Sequence, residues 1–166
     1  MPAVLKALNR IRHRHGFGVH SPFAYRFITE VLCQPLHYYG YATTGRDPRL
    51  RLLLRLAAYF APARVAVYSA TPDKLMKAAS CGNTAIEYTY DCPDMIVVDD
   101  LDTPPESYLP LIISGGTHAL IVNASPTLRK RLTAALSKGM LFDNGRGTIV
   151  IAAFRHLPRQ DFDVKF

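Results

Sequence analysis

Apolar positions along the chain change period several times, and each change predicts an element. Residues 3–14 place Val4, Leu5, Leu8 and Ile11 on one side of a helix, with Lys6, Arg10 and Arg14 opposite. A glycine-punctuated turn follows at 15–19. Ser21 and Pro22 then read as the cap and first residue of a second helix, with Phe23, Phe27, Ile28 and Val31 as its apolar stripe. Residues 34–46 have no period and are rich in Tyr, Gly and Thr, which predicts a loop. Tyr38, Tyr39 and Tyr41 fit either a cover over a site or an ordered connector with half-buried rings. Asp47 and Pro48 start a third helix that buries Leu50, Leu53, Leu54 and Ala57, and Pro62 closes it.

From residue 64 the period alternates between strand and helix. Val65, Ala66 and Val67 read as a buried strand. Thr71 then stands as a helix cap, with Pro72 at the first helical position and Leu75, Met76 and Ala79 on the inner face up to Gly82. Residues 84–90 alternate as a strand, and 94–99 form the clearest buried parallel strand. Only Asp91, Cys92 and Pro93 separate these two, so they either lie apart in the sheet or pair antiparallel. Thr103–Glu106 spells a capping box for a short helix that Pro110 kinks or shortens. Residues 119–123 are a further buried strand. A helix runs from Ser125 to Gly139, with Leu128, Leu132, Ala135 and Leu136 inward. Residues 140–143 and 148–154 make a β-hairpin around Asn144-Gly145, and 162–166 add an edge strand.

This order predicts an α/β, Rossmann-like fold. Its sheet is mostly parallel, covered by helices on both faces and closed by an antiparallel hairpin. Residues 1–61 form a helical extension and 62–166 the α/β body. The first strand–turn–helix is where nucleotide-like cofactors sit in such sheets. Its turn, Ser69-Ala70-Thr71-Pro72, contains no glycine, and Pro72 lacks an N–H.

Composition sharpens this picture in two ways. The net charge of +7 is concentrated in residues 1–60, which hold nine Lys/Arg against Glu30 and Asp47. The remainder is neutral. A basic segment fits nucleic acid or an anionic surface, and equally a solvated helical face or arginines packing over the acidic ends of the sheet. Few aromatics alternate with the charges, which favours the solvated face. No apolar run is long enough for a membrane span, and the expected location is the cytoplasm. Cys33, Cys81 and Cys92 are irregularly spaced and read as reduced, mostly buried thiols.

Several stretches together resemble a family. HGFGVHSPF (15–23), LLLRLAAYFAPARVAVY, PDMIVVDD, YLPLIISGGTHALIV and GMLFDNGRGTIVIAAF with RQDFDVKF are similar to small bacterial class I S-adenosylmethionine-dependent methyltransferases of O-methyltransferase type. The resemblance covers nearly the whole chain and is most specific at its two ends. It implies S-adenosylmethionine held by Tyr68, Ser69, Ala70 and Thr71, with Asp91 or Asp99 as the carboxylate partner; Asp91 is a poor substitute for the family's residue and otherwise reads as a solvated turn residue. The departures fall at these positions. Val67 stands where the family has an acidic residue, and Ser69 stands at its first glycine. Residues 70–94 hold one helix and one strand where the family has two more strands and further helices, so a central βα segment is missing. Whether residues 84–90 are the family's second or third strand stays open. Asn123-Ala124 replaces the acidic pair of metal-dependent relatives, so no metal site is expected.

The remaining polar clusters have plain readings beside chemical ones. Asp99, Asp100 and Asp102 fit a hard cation, or a cap and two solvated carboxylates. His13, His15 and His20 fit a metal by type, or a polar turn. Three functional expectations follow. The preferred one is a degenerate, non-enzymatic methyltransferase-fold protein with no bound cofactor, retained as a binding or structural module with a protein partner or a second copy. The alternative is a working methyltransferase with an altered pocket. The third is a protein that binds RNA or an anionic surface through Arg10, Arg12 and Arg14.

Overall fold

The computed structural model describes residues 8, 10–14, 18–35, 38–99, 102–114, 116–154 and 156–166. Most of the expected first helix and of the turn at 15–19 lies outside them, although residues 10–13 are helical. The elements that follow are α1 (Pro22–Phe27), a π-helical turn (Ile28–Leu32), α2 (Tyr41–Thr44), α3 (Pro48–Phe60), β1 (Arg64–Tyr68), α4 (Pro72–Gly82), β2 (Glu87–Tyr88) and β3 (Met95–Val98). After a 3-10 turn (Pro105–Ser107) come α5 (Leu109–Ile113), β4 (His118–Ile121), α6 (Pro126–Ala135), β5 (Met140–Asp143), β6 (Ile149–Ala152) and β7 (Gln160–Asp163).

The seven strands form one mixed sheet in the order β2-β1-β3-β4-β6-β5-β7. Every pairing is parallel except those of β6, which runs antiparallel to both β4 and β5. The expected closing hairpin is therefore present, with its second strand set inside the sheet. Alternate residues of each strand enter opposite layers. Val65, Val67, Met95, Val97 and Leu120 pack under α1, α3 and α4. Ala66, Ile96, Val98, Ala119 and Ile121 pack under α5 and α6. Burial on both faces explains why these strands read as continuous apolar runs.

Side-chain caps set the starts of α1, α3 and α6. Ser21 Oγ accepts from Ala24 N at 3.3 Å, Asp47 Oδ1 from Arg49 N at 2.9 Å, and Ser125 Oγ from Leu128 N at 3.1 Å. The helix α1 then widens into the π turn, where Cys33 N donates to Ile28 O at 2.8 Å. That extra residue turns Ile28, Val31 and Leu32 all into the core.

Several expectations are corrected. The 84–90 strand shrinks to Glu87–Tyr88 and pairs parallel with β1, opposite Arg64 and Val65. It does not pair with β3, because β1 lies between them. The capping box opens only a 3-10 turn, with Pro104 at its N-cap. Pro110 sits in the first turn of α5, so it opens that helix and does not kink it. The helix α6 stops at Ala135, before Gly139. Gly139 instead begins β5 at φ 83°, where an added Cβ would meet Ala152 O at 2.8 Å. The hairpin turn spans 144–148, with Asn144 Oδ1 accepting from Arg146 N and Thr148 N. The loop at 34–46 contains α2, with Tyr41 buried and Tyr39 exposed. Cys81 and Cys92 are exposed rather than buried, and all three cysteines are free.

Two residues carry measurable consequences. Gly82 lies where α4 crosses α3, and a Cβ there would press on Leu54 O and come within 2.9 Å of Ala58 N. Gly→Ala in a helix ordinarily stabilises by about 1 kcal/mol. Here Gly82→Ala should destabilise by about 1–3 kcal/mol through overpacking, read as a lower melting temperature.

His118 stacks on Phe60 with ring centroids 3.8 Å apart, and its Nδ1 accepts from Ala153 N at 3.2 Å. Burial lowers its pKa to about 4, against a smaller upward pull from Asp94. The folded imidazole is neutral, whereas the unfolded one binds a proton as pH falls below its ordinary 6.5. Its contribution is therefore intact above that value and drains away down to about pH 4. Between pH 7 and pH 5 denaturation midpoints should report a loss of about 2 kcal/mol, and His118→Gln should flatten that slope.

Candidate functional site

The three parallel strands β1, β3 and β4 end side by side, and α3 starts above them. In an open α/β sheet this C-terminal edge is where ligands bind. The chain after β1 is Ser69-Ala70-Thr71. Ser69 Oγ accepts from Thr71 N at 3.0 Å, so that donor is already used, and Pro72 has none. Thr71 occupies the N-cap position of α4, but its side chain makes no capping bond, contrary to expectation. The turn thus offers no row of free backbone N–H groups to an anion or a carboxylate.

Asp99 follows β3, and its N–H donates to Tyr68 O at 2.9 Å. Its carboxylate faces Arg49 from α3, with Nη1 3.4 Å from Oδ1. The same guanidinium reaches Asp47 through Nη2 at 3.2 Å and Nε at 3.3 Å. Burial alone would raise the Asp47 carboxyl, but its hydrogen bonds with Arg49 hold it below the usual carboxylate range. Asp47, Arg49, Thr71, Lys74, Asp99 and Val122 border a cleft of about 100 Å³. Arg49 therefore bridges the helix to the sheet across the place where a ligand would enter.

Of the sequence-predicted residues, Thr71 and Asp99 meet at this cleft. Ala70 is exposed beside it. Asp91 is not part of it: the residue is exposed in the turn after β2, its N–H donating to Thr89 Oγ1 at 3.1 Å. Tyr68 points to the other side of the sheet. Its ring packs on Tyr90 at 5.1 Å and Tyr108 at 5.7 Å, and its hydroxyl donates to Ser107 O at 3.4 Å. Burial and then the neighbouring Tyr90 push the Tyr68 hydroxyl above its ordinary pKa. Tyr90 OH donates to Val67 O at 2.8 Å, which lays that ring over the end of β1.

The metal candidates are placed as follows. Asp100 and His15 lie outside the described residues. His13 Nδ1 is 2.8 Å from Asp163 O, holding the N-terminal segment to the end of β7. Among the described residues no three His, Cys, Asp or Glu side chains gather at one point. Asn123 adopts a left-handed φ of 59°, and Ala124 N donates to Gly147 O at 2.8 Å, tying the end of β4 to the hairpin loop.

Sequence reasoning missed Arg49. No local pattern marks an arginine whose second carboxylate lies fifty residues away. The only available signal was its place two residues after the Asp47 cap, on the helix that leads into β1. No helix among the described residues is long and apolar enough to cross a membrane. No protein-family model matches the chain, and no curated protein or solved structure matches it.

Arg49 is about half exposed in its side chain. A double-mutant cycle on Arg49→Ala and Asp99→Ala should therefore give a coupling energy below about 1 kcal/mol, smaller still at high salt. A coupling of several kcal/mol in stability measurements would contradict this geometry.

Proposed function

We propose that the chain is a degenerate methyltransferase-fold protein that does not take up S-adenosylmethionine and serves as a binding or structural module. The cleft at the ends of β1, β3 and β4 carries this reading. Its volume of about 100 Å³ is well below the roughly 300 Å³ at which small-molecule pockets begin, and Arg49 spans it. The turn chemistry agrees, since Thr71 N is bonded to Ser69 Oγ and Pro72 has no N–H. The antiparallel β6, inside an otherwise parallel sheet, supports the family resemblance behind the proposal. The place of β2 beside β1 supports reading residues 84–90 as the family's second strand, with the segment after it shortened.

One observation favours the alternative of a working methyltransferase. Thr71 and Asp99 still face one cavity, as a cofactor site would require. For that reading Arg49 must swing away from Asp99 when the ligand enters. Calorimetric titration with S-adenosylmethionine and S-adenosylhomocysteine, with thermal shift as a control, separates the two. The expected result is no heat and no stabilisation at millimolar ligand. Micromolar binding with a matching rise in melting temperature would overturn the proposal and select the alternative.

A further inference from the structure

Arg49 also borders a second depression on its other side, and that depression leads to a third. The second, of about 280 Å³, is lined by Arg49, Arg51, Arg55, Asn144 and Phe166 among others. The third, of about 250 Å³, is lined by Arg14, Arg55, Arg146, Lys165, Leu32 and Phe166 among others. They share Arg55, Asn144 and Phe166. Among the described residues no side-chain carboxylate lines either one. The four cations of the third depression come from four separate segments of chain. The fold, and not a local run of charge, brings them together.

Arg55 is held in place by neutral partners only. Its Nη1 donates to Tyr41 OH at 2.7 Å and its Nη2 to Leu32 O at 3.2 Å, while Nε is buried and meets no acceptor among the described residues. Arg51 is fixed in the same manner, through Gly45 O at 2.7 Å and the face of the Tyr41 ring at 4.6 Å. Both guanidinium groups are oriented by these bonds, and neither makes an ion pair among the described residues. The Cys33 thiol, also in the third depression, supplies no counter-charge: burial raises its pKa to about 11 despite Arg14 and Arg55. Asn144 Oδ1 fixes the hairpin loop through Arg146 N at 2.7 Å, and the Arg146 side chain is left exposed at the rim.

We propose that this basic cleft binds a small organic phosphate carrying two or more phosphoryl groups, with Arg14, Arg55, Arg146 and Lys165 on the phosphates and Leu32 and Phe166 against the apolar part. Oriented guanidinium groups match phosphate oxygens two at a time. The two depressions are half open and adjoin through Arg55, Asn144 and Phe166, so together they offer room for a small ligand that neither offers alone. A track for single-stranded nucleic acid would add exposed rings for stacking, and none of the exposed tyrosines lines either depression. Arg10 is not part of the cleft's free charge, because it pairs with Asp163 at 3.7 Å. The proposal is independent of the Asp99 cleft, and either reading can fail alone.

The test uses the full chain with inorganic pyrophosphate and tripolyphosphate, by calorimetry and thermal shift, at about 50 and about 200 mM salt. Saturable binding with a rise in melting temperature is expected. Arg146→Ser with Lys165→Ser, both exposed, should weaken pyrophosphate binding by about tenfold or more without changing the melting temperature of the free protein. Arg26→Ser with Lys77→Ser removes the same charge from exposed positions on α1 and α4 and should leave binding unchanged. Absence of binding, or equal weakening in both double variants, would overturn the proposal. So would displacement of pyrophosphate by oligouridylate whose affinity grows with length, which would select nucleic acid as the ligand.

Discussion

Residues 89–94 impose the constraint on which the rest of the structure depends. They carry the chain from the end of β2, over β1, to the start of β3. Parallel strands are normally joined by about a dozen residues or more, usually including a helix. Six suffice here because β2 is only two residues long and ends level with Val65, where β3 begins with Met95. The link is pinned at its far end by Asp94, whose Oδ2 accepts from Ala63 N and Arg64 N. No helix can form in so short a link, so that corner of the sheet is covered by the rings of Tyr68, Tyr90 and Tyr108.

The N-terminal helices complete the other face. The helix α3 lies against α4, with Gly82 allowing the close approach, and its first turn delivers Arg49 to the strand ends. One helix therefore buries the sheet with Leu52, Leu53, Leu56 and Ala57 and brings cations to its C-terminal edge. This changes the meaning of the charge excess in residues 1–60. Arg49, Arg51 and Arg55 border clefts toward the loops that follow β3 and β5, and Arg49 meets Asp99 as the expectation of arginines over the acidic ends of the sheet has it.

Elements whose own residues specify both ends were legible in the sequence. The Ser21-Pro22, Asp47-Pro48 and Ser125-Pro126 starts, and the buried strands through Val65, Met95 and Leu120, lie where their patterns place them. What depended on distant partners was not. The alternation of residues 84–90 is real, but only Glu87 and Tyr88 find a neighbour in β1. Gly82 does end α4 as read, but its close backbone approach to α3 was not legible, and Gly139, read as a helix stop, lies beyond the end of α6 and serves another close approach. At the site, Thr71 and Asp99 were legible because they end a strand or begin a helix. Asp91 lies in an exposed turn, where its reading as a solvated turn residue puts it, and only its conditional role as a carboxylate partner fails. Arg49 and His118 were invisible because their partners, Asp99 and Phe60, are far away in sequence.

The short β2 has an effect beyond the site. It is one outer edge of the sheet, and an outer edge is a template on which another chain can add a strand. Two residues, Glu87 exposed and Tyr88 tied to Ser80, give a visiting strand almost nothing to zip against. At the opposite edge, β7 carries Asp161 and Asp163 with Arg159 and Arg10 beside them. Growth of the sheet from molecule to molecule is blunted at one border by shortness and at the other by charge. Any contact between copies of this chain is thereby steered away from strand-to-strand pairing and toward its helices and loops.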